Sequence, residues 1–130
     1  ELMKNVLILQ LGAFIGALAV ALGAFGAHAF KPMLQASGRL DTFETAVKYQ
    51  FYHALVMLVL GLLMQHVQAE GLRYLQWAGY AFLVGVVVFS GALYAICFTG
   101  ITAFGAVAPI GGTALIVGWL LLLWGAKFIH

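Results

Sequence analysis

Charged residues divide this chain into three long stretches that carry no charge. Residues 5–30, 49–69 and 74–126 contain no Asp, Glu, Lys or Arg, and they are 26, 21 and 53 residues long. About 20 apolar residues in a helix span the hydrocarbon core of a bilayer, so the last stretch is long enough for two crossings and a turn. We expect the natural start at Met3, with Glu1 and Leu2 foreign to the natural chain. The pattern predicts an integral membrane protein with four crossings.

The four crossings are predicted to be α-helices, because an open sheet edge cannot satisfy its backbone hydrogen bonds in lipid. The longest stretch divides near residues 99–102, where Thr and Gly interrupt the bulky residues. The predicted fold class is therefore all-α: a single four-transmembrane-helix bundle over residues 1–130, with antiparallel neighbours and helices at about 6–30, 42–67, 74–98 and 104–128.

The composition excludes several functional classes. Of the 130 residues, 65% are hydrophobic and only 8% are charged, against roughly a quarter charged in soluble proteins. The net charge is only +2, so the chain lacks the basic surface that nucleic acid requires. An ordinary soluble enzyme, a disordered tail and a nucleic-acid binder are excluded. Cys97 is the single cysteine and is expected to be inert packing in an apolar run.

The connection between the first two helices is predicted to be amphipathic. Pro32 is expected to end the first helix, since the residue before a proline avoids the α region. Asp41 is interpreted as the N-cap of the second helix, with Glu44 completing a variant of the capping box. Glu44 and Lys48, four residues apart, would support its exposed first turns. The second helix thus starts at the membrane surface and enters the bilayer near Tyr49.

The orientation of the chain in the membrane stays open. An even number of crossings places both termini on one side, here called the terminal side, and the first connection on the opposite side, here called the loop side. Lysine and arginine divide three against three between the two sides. The positive-inside rule therefore favours neither orientation.

Small residues form seams along three of the predicted helices. In lipid, helices associate through close backbone approach and van der Waals contact, so such seams indicate tight packing. The second helix carries bulky residues and the other three carry seams of small residues, which favours packing within the chain. A small-residue face that pointed outward would instead bring copies of the chain together as homo-oligomers. The glycines assigned to helix packing are Gly12, Gly16, Gly23, Gly26, Gly85, Gly111, Gly112 and Gly118.

Polar residues gather in the half of the predicted bundle that lies towards the loop side. A polar group left unpaired in hydrocarbon costs several kcal/mol, so these residues are expected to find partners. The helices alternate in direction, which brings their polar positions to a similar depth, and His28 would approach the second helix through the first hairpin. The candidate ligand-binding residues are His28, Tyr49, Gln50, His53, Ser90 and Tyr94.

These residues also have structural interpretations, which stay open. His28 and His53 could tie the first two helices together without binding a ligand, and Ser90 could bond a carbonyl one turn back. A bis-histidine haem or metal site is a weaker alternative, because no carboxylate or thiolate supports the two histidines. No cofactor and no metal are expected. Pro109 either starts the fourth helix late or kinks it.

Short segments along the chain also carry a recognisable pattern. They are residues 23–28 (GAFGAH), 43–47 (FETAV), 49–50, 53–55, 89–94 (FSGALY), 109–112 (PIGG) and 118–119. In this order they resemble the YgdD/YwdK-like family of small bacterial membrane proteins, catalogued as domain of unknown function 423, whose eukaryotic relatives are called transmembrane protein 256. The resemblance implies a four-span, multi-pass protein of the bacterial cytoplasmic membrane. It implies no activity.

The leading hypothesis is a non-enzymatic membrane protein that binds a lipid or small amphiphile in a polar pocket at one leaflet, with a role related to transport. The rival hypothesis is a structural or assembly partner of other membrane proteins, whose polar residues only lock the bundle. An enzyme is not expected, since no nucleophile–base pair, carboxylate pair or phosphate-binding loop is in reach. Membrane lipids are the expected partners, and nucleic acid is not.

Overall fold

Helices account for nearly all of the regular structure in the computed structural model, which describes residues 4–130. The expected start at Met3 lies outside the described residues. The α-helices are α1 (Asn5–Ala27), α2 (Lys31–Ala36), α3 (Leu40–Leu63), α4 (Ala69–Thr99) and α5 (Ala108–Gly125), with 3-10 turns at Thr102–Ala106 and Ala126–Phe128. Among residues 4–130, four segments are long and apolar enough to cross a membrane, which confirms the predicted fold class: α1, α3, α4 and Thr102–Phe128.

The connection from α1 to α3 differs from the prediction. Pro32 does not end the first helix; it lies in the first turn of the short helix α2, where its missing N–H leaves no hydrogen bond unmade. Helix α2 ends at Ala36 and is followed by Ser37 and by Gly38, which has a φ of 70°, while the Arg39 N–H donates to the Leu34 carbonyl. After this Schellman-type C-cap, helix α3 begins at Leu40 with no further connecting segment. Asp41 is therefore inside the first turn, and its prediction as the N-cap is wrong.

The ends of the last two long helices are set by glycine and proline. Gly100 has a φ of 73° and ends α4 in the left-handed conformation that favours glycine. Pro109 lies in the first turn of α5 and starts that helix late, so it does not kink a longer one. At its other end α4 begins at Ala69, five residues before the predicted start, because Glu70 and Arg73 are accommodated in its exposed first turns.

Helices α3 and α4 lie at the centre of the molecule. Helix α1 packs along α3, α5 packs along α4, and α3 and α4 pack against each other. The core between them consists of buried apolar side chains. Within the described residues α1 and α5 make no extensive contact with each other. Lipid-facing grooves therefore remain beside the central pair of helices.

The seam glycines face other helices of the same chain. A Cβ atom on Gly12 would lie 3.1 Å from the Ala54 carbonyl oxygen, and one on Gly85 would lie 2.9 Å from the Leu115 backbone nitrogen. Gly111 lies so close to the Phe89 backbone that a Cβ atom there would overlap it. On α1 the glycines that face α3 are Gly12, Gly16, Gly23 and Gly26; those at the contact of α4 with α5 are Gly85, Gly111, Gly112 and Gly118.

Candidate functional site

Gln50 joins three helices near the middle of the bundle. Its side-chain nitrogen donates a hydrogen bond to the Ile15 carbonyl of α1 at 2.9 Å, and its oxygen accepts one from the Tyr94 hydroxyl of α4 at 2.6 Å. Gln50 is the eleventh residue of α3 and Ile15 the eleventh of α1, which have 24 and 23 residues. The bond from Gln50 to α1 therefore lies deeper than the expected position near the loop side.

Ser90 makes a second bond between the two central helices. Its hydroxyl is buried and donates to the Ala46 carbonyl of α3 at 2.8 Å. Ser90 therefore bonds across to α3, not to a carbonyl one turn back along its own helix. Gln50, Ser90 and Tyr94 lie close together, and each uses a polar atom on a partner within the protein.

His53 belongs to the same helix but reaches in another direction. Its Nδ1 lies 2.7 Å from the Tyr49 carbonyl, which can only accept, so Nδ1 carries the proton. Its Nε2 lies 3.1 Å from the indole nitrogen of Trp119 on α5, which can only donate. His53 is thus held as a neutral imidazole in one tautomer, with both nitrogens occupied by the protein.

Trp119 was missed as a candidate by the sequence reasoning. It is 46% exposed, yet its N–H is the group that links α5 to the histidine of α3. The centroid of its ring also lies 5.5 Å from that of the Phe82 ring, with an interplanar angle of 76°. The signal that could have found Trp119 is its place directly after Gly118, in one of the segments that carried the family resemblance.

His28 lies apart from the other candidates, and its predicted approach to the second helix is wrong. It is exposed in the turn after α1. Because Gly26 contacts Phe43, His28 is level with the first turn of α3. Thirteen residues of helix separate that level from His53, which is roughly 20 Å along the axis. The two histidines therefore cannot ligate one haem or metal ion in this arrangement.

The remaining candidates border two separate grooves that open towards lipid. The first groove, the α1–α4 groove, has a volume of about 280 Å³, and Gln50, Ser90 and Tyr94 lie at its floor among apolar side chains. The second, the lateral groove, has a volume of about 420 Å³ between α3, α4 and α5. Its lining includes Tyr49, His53, Pro109, Gly112, Thr113, Ile116 and Trp119.

Free polar atoms are scarce in this part of the molecule. Every buried side-chain nitrogen and oxygen of residues 4–130 has a hydrogen-bond partner. Across the same residues no three His, Cys, Asp or Glu side chains gather as metal ligands would. Tyr49 differs, because its side chain is 40% exposed and its hydroxyl makes no hydrogen bond with the described part of the protein. The arrangement can hold an apolar molecule and offer its polar end one hydroxyl group.

Comparison with known proteins shows which family this chain is similar to. Residues 22–112 match the family model described as a protein of unknown function, DUF423. A UPF0382 membrane protein of Staphylococcus saprophyticus is 41% identical over 88% of this chain and 92% of its own length. The UPF0382 membrane protein YwdK of Bacillus subtilis is 38% identical over 87% of this chain and 89% of its own length. A Haemophilus influenzae relative is 34% identical over 95% of both chains. No solved structure matches the chain.

Proposed function

We propose that this chain, which belongs to the DUF423 family of membrane proteins, binds a lipid or small amphiphile in the lateral groove. The role is non-enzymatic, and the protein acts as a multi-pass protein of the bacterial cytoplasmic membrane. The observation that carries the proposal is the lateral groove itself, which has a volume of about 420 Å³ and is lined by Tyr49, whose hydroxyl makes no hydrogen bond with residues 4–130.

The lining of the lateral groove suits an amphiphile better than a polar solute. Ile116 and Pro109 present apolar surface to it, and the Trp119 ring is half exposed at its wall. The Thr113 hydroxyl donates to the Pro109 carbonyl at 2.8 Å, which leaves its oxygen able to accept one more hydrogen bond. A ligand with an apolar body and one polar group would fill the groove and bond to Tyr49.

Mass spectrometry of the native protein can test the proposal. The protein, purified from membranes in mild detergent, is expected to retain an amphiphile, and Tyr49→Phe should reduce the retained fraction about twofold to tenfold, the effect of one hydrogen bond. Tyr52→Phe is the matched control, because Tyr52 is exposed on the same helix and does not line the groove.

A second variant separates the groove from the hydroxyl. A Cβ atom on Gly112 would lie 3.6 Å from the Phe89 ring, which is an ordinary contact, so Gly112→Leu extends into the groove with little effect on the helices. We expect it to displace the retained molecule. If both Tyr49→Phe and Gly112→Leu retain as much as the unaltered protein, the lateral groove is not the binding site.

The hydrogen-bond network supports a second candidate function, a structural or assembly partner of other membrane proteins. Gln50, Tyr94 and Ser90 connect α1, α3 and α4, and Trp119 connects α5 to α3. Such a network holds a rigid scaffold without any ligand. Under this function, partner membrane proteins or further copies of the chain would be recovered after cross-linking in membranes, and no small molecule would be retained.

A further inference from the structure

A third groove lies at the membrane surface on the loop side, between the last turns of α1 and the first turns of α3. This α1–α3 groove has a volume of about 330 Å³. Gly23, Gly26 and Ala27 form its α1 wall, and Phe43 and Val47 belong to the α3 wall. On this side α1 presents only small residues to the groove, and Gly26 is covered by the Phe43 ring. It shares no lining residue with the lateral groove.

Two opposite charges border the α1–α3 groove without neutralising each other. Glu44 and Lys48 are exposed, line the groove and lie four residues apart on α3, a spacing at which such pairs can meet. Among the residues that the structure describes, neither forms a salt bridge. The groove therefore offers a carboxylate and an ammonium group to a ligand that carries both charges.

The order of the two charges matches the order of charges in a phospholipid. Helix α3 enters the bilayer from its N-terminal end, so Lys48 lies about 6 Å deeper than Glu44. In a zwitterionic phospholipid the phosphate is attached to the glycerol, nearer the acyl chains, and the ammonium group lies further out. Lys48 then faces the phosphate while Glu44 faces the ammonium group.

We infer that the α1–α3 groove binds the headgroup of a zwitterionic phospholipid with a primary ammonium group, of the phosphatidylethanolamine class. A primary ammonium donates charge-assisted hydrogen bonds to the Glu44 carboxylate, which a trimethylammonium group cannot do. An anionic glycerol headgroup lacks the positive charge and is repelled by Glu44. Gly23 and Ala27 carry no long side chain, so the glycerol and the first acyl carbons can lie beside α1.

The test is native mass spectrometry of the full chain released from nanodiscs that contain equal amounts of phosphatidylethanolamine, phosphatidylcholine and phosphatidylglycerol with identical acyl chains. The unaltered protein is expected to retain about twofold to fivefold more phosphatidylethanolamine than either of the other two lipids. The expected ratio is small because exposed ion pairs contribute little binding free energy. Glu44→Gln should abolish the preference over phosphatidylglycerol, and Lys48→Gln should lower the retention of all three lipids.

Two controls keep the outcome specific to this groove. Glu70→Gln removes the same charge from an exposed position on the terminal side and should leave the lipid ratio unchanged. Tyr52→Phe changes an exposed side chain of α3 that lines neither groove and should also leave the ratio unchanged. Equal retention of the three lipids by the unaltered protein overturns the inference, as does a shift with Glu70→Gln as large as that with Glu44→Gln. Either result leaves the proposed function of the lateral groove standing.

Discussion

Replacing Gln50 with leucine tests whether the polar network holds the helices together. Leucine has a similar size and no polar group, so Gln50→Leu removes both the bond to the Ile15 carbonyl and the bond from the Tyr94 hydroxyl. The Ile15 carbonyl remains part of the hydrogen-bonded backbone of α1 after the substitution. The Tyr94 hydroxyl, in contrast, loses its acceptor. The loss therefore has two parts, the missing bonds and one stranded hydroxyl.

The size of the effect follows from these two bonds. A hydrogen bond contributes about 0.5–1.5 kcal/mol to stability, and bonds between membrane helices average roughly 0.6 kcal/mol. We expect Gln50→Leu to lower the free energy of unfolding by about 1–3 kcal/mol. Tyr94→Phe removes only the shared bond and should cost about 0.6–1.7 kcal/mol.

The double variant is the decisive measurement, made by unfolding the purified protein in mixed micelles and following tryptophan fluorescence. Because Tyr94→Phe removes the hydroxyl that Gln50→Leu strands, the double variant should lose less stability than the two single variants together, by about 0.5–1.5 kcal/mol. Tyr52→Phe, on the exposed side of α3, should change nothing. Effects that add within about 0.3 kcal/mol would refute the interaction between Gln50 and Tyr94.

Two further substitutions test the contacts of α5. Gly111→Ala forces a methyl group into the Phe89 backbone and should destabilise the protein by about 1–3 kcal/mol in the same unfolding measurement, whereas Gly91→Ala, with no atom nearby, should be neutral. Equal effects of the two would mean that α4 and α5 do not approach closely. Trp119→Phe removes the N–H that faces His53 and should cost about 0.5–1.5 kcal/mol. It should also shift the ¹⁵N resonance of the His53 Nε2 atom, and an unchanged resonance would contradict this hydrogen bond.

The number and approximate extent of the membrane crossings follow from the sequence, because they depend on the distribution of charge and apolar residues along the chain. The ends of the helices were harder to predict. Pro32 is compatible with either the end of one helix or the start of another, and only the turn at residues 28–30, which separates α1 from α2, resolves the choice. Asp41 was mistaken for an N-cap for the same reason, since the connection before it is itself helical.

The arrangement of the candidate residues was predicted only in part. Gln50, Ser90 and Tyr94 lie close together because alternating helix direction brings equivalent levels together, but the bond from Gln50 to α1 lies deeper than expected. His53 points away from them towards α5, and Tyr49 lines the lateral groove beside it. Depth along a helix can be read from residue numbers, whereas the direction of a side chain around the helix depends on the neighbours it packs against.

The amino-acid sequence by itself determined that this protein crosses a membrane four times, which residues are small enough for helices to approach, and which polar residues lie within the crossings. Only the tertiary structure decided which partner each polar group meets. His28 lies in an exposed turn, and the Trp119 N–H donates a hydrogen bond to His53. The expected single pocket is divided into separate grooves. The physical reason is that hydropathy and residue size act locally along the chain. Hydrogen-bond partners depend on how four helices rotate and shift against one another, and that is set by all of their contacts at once.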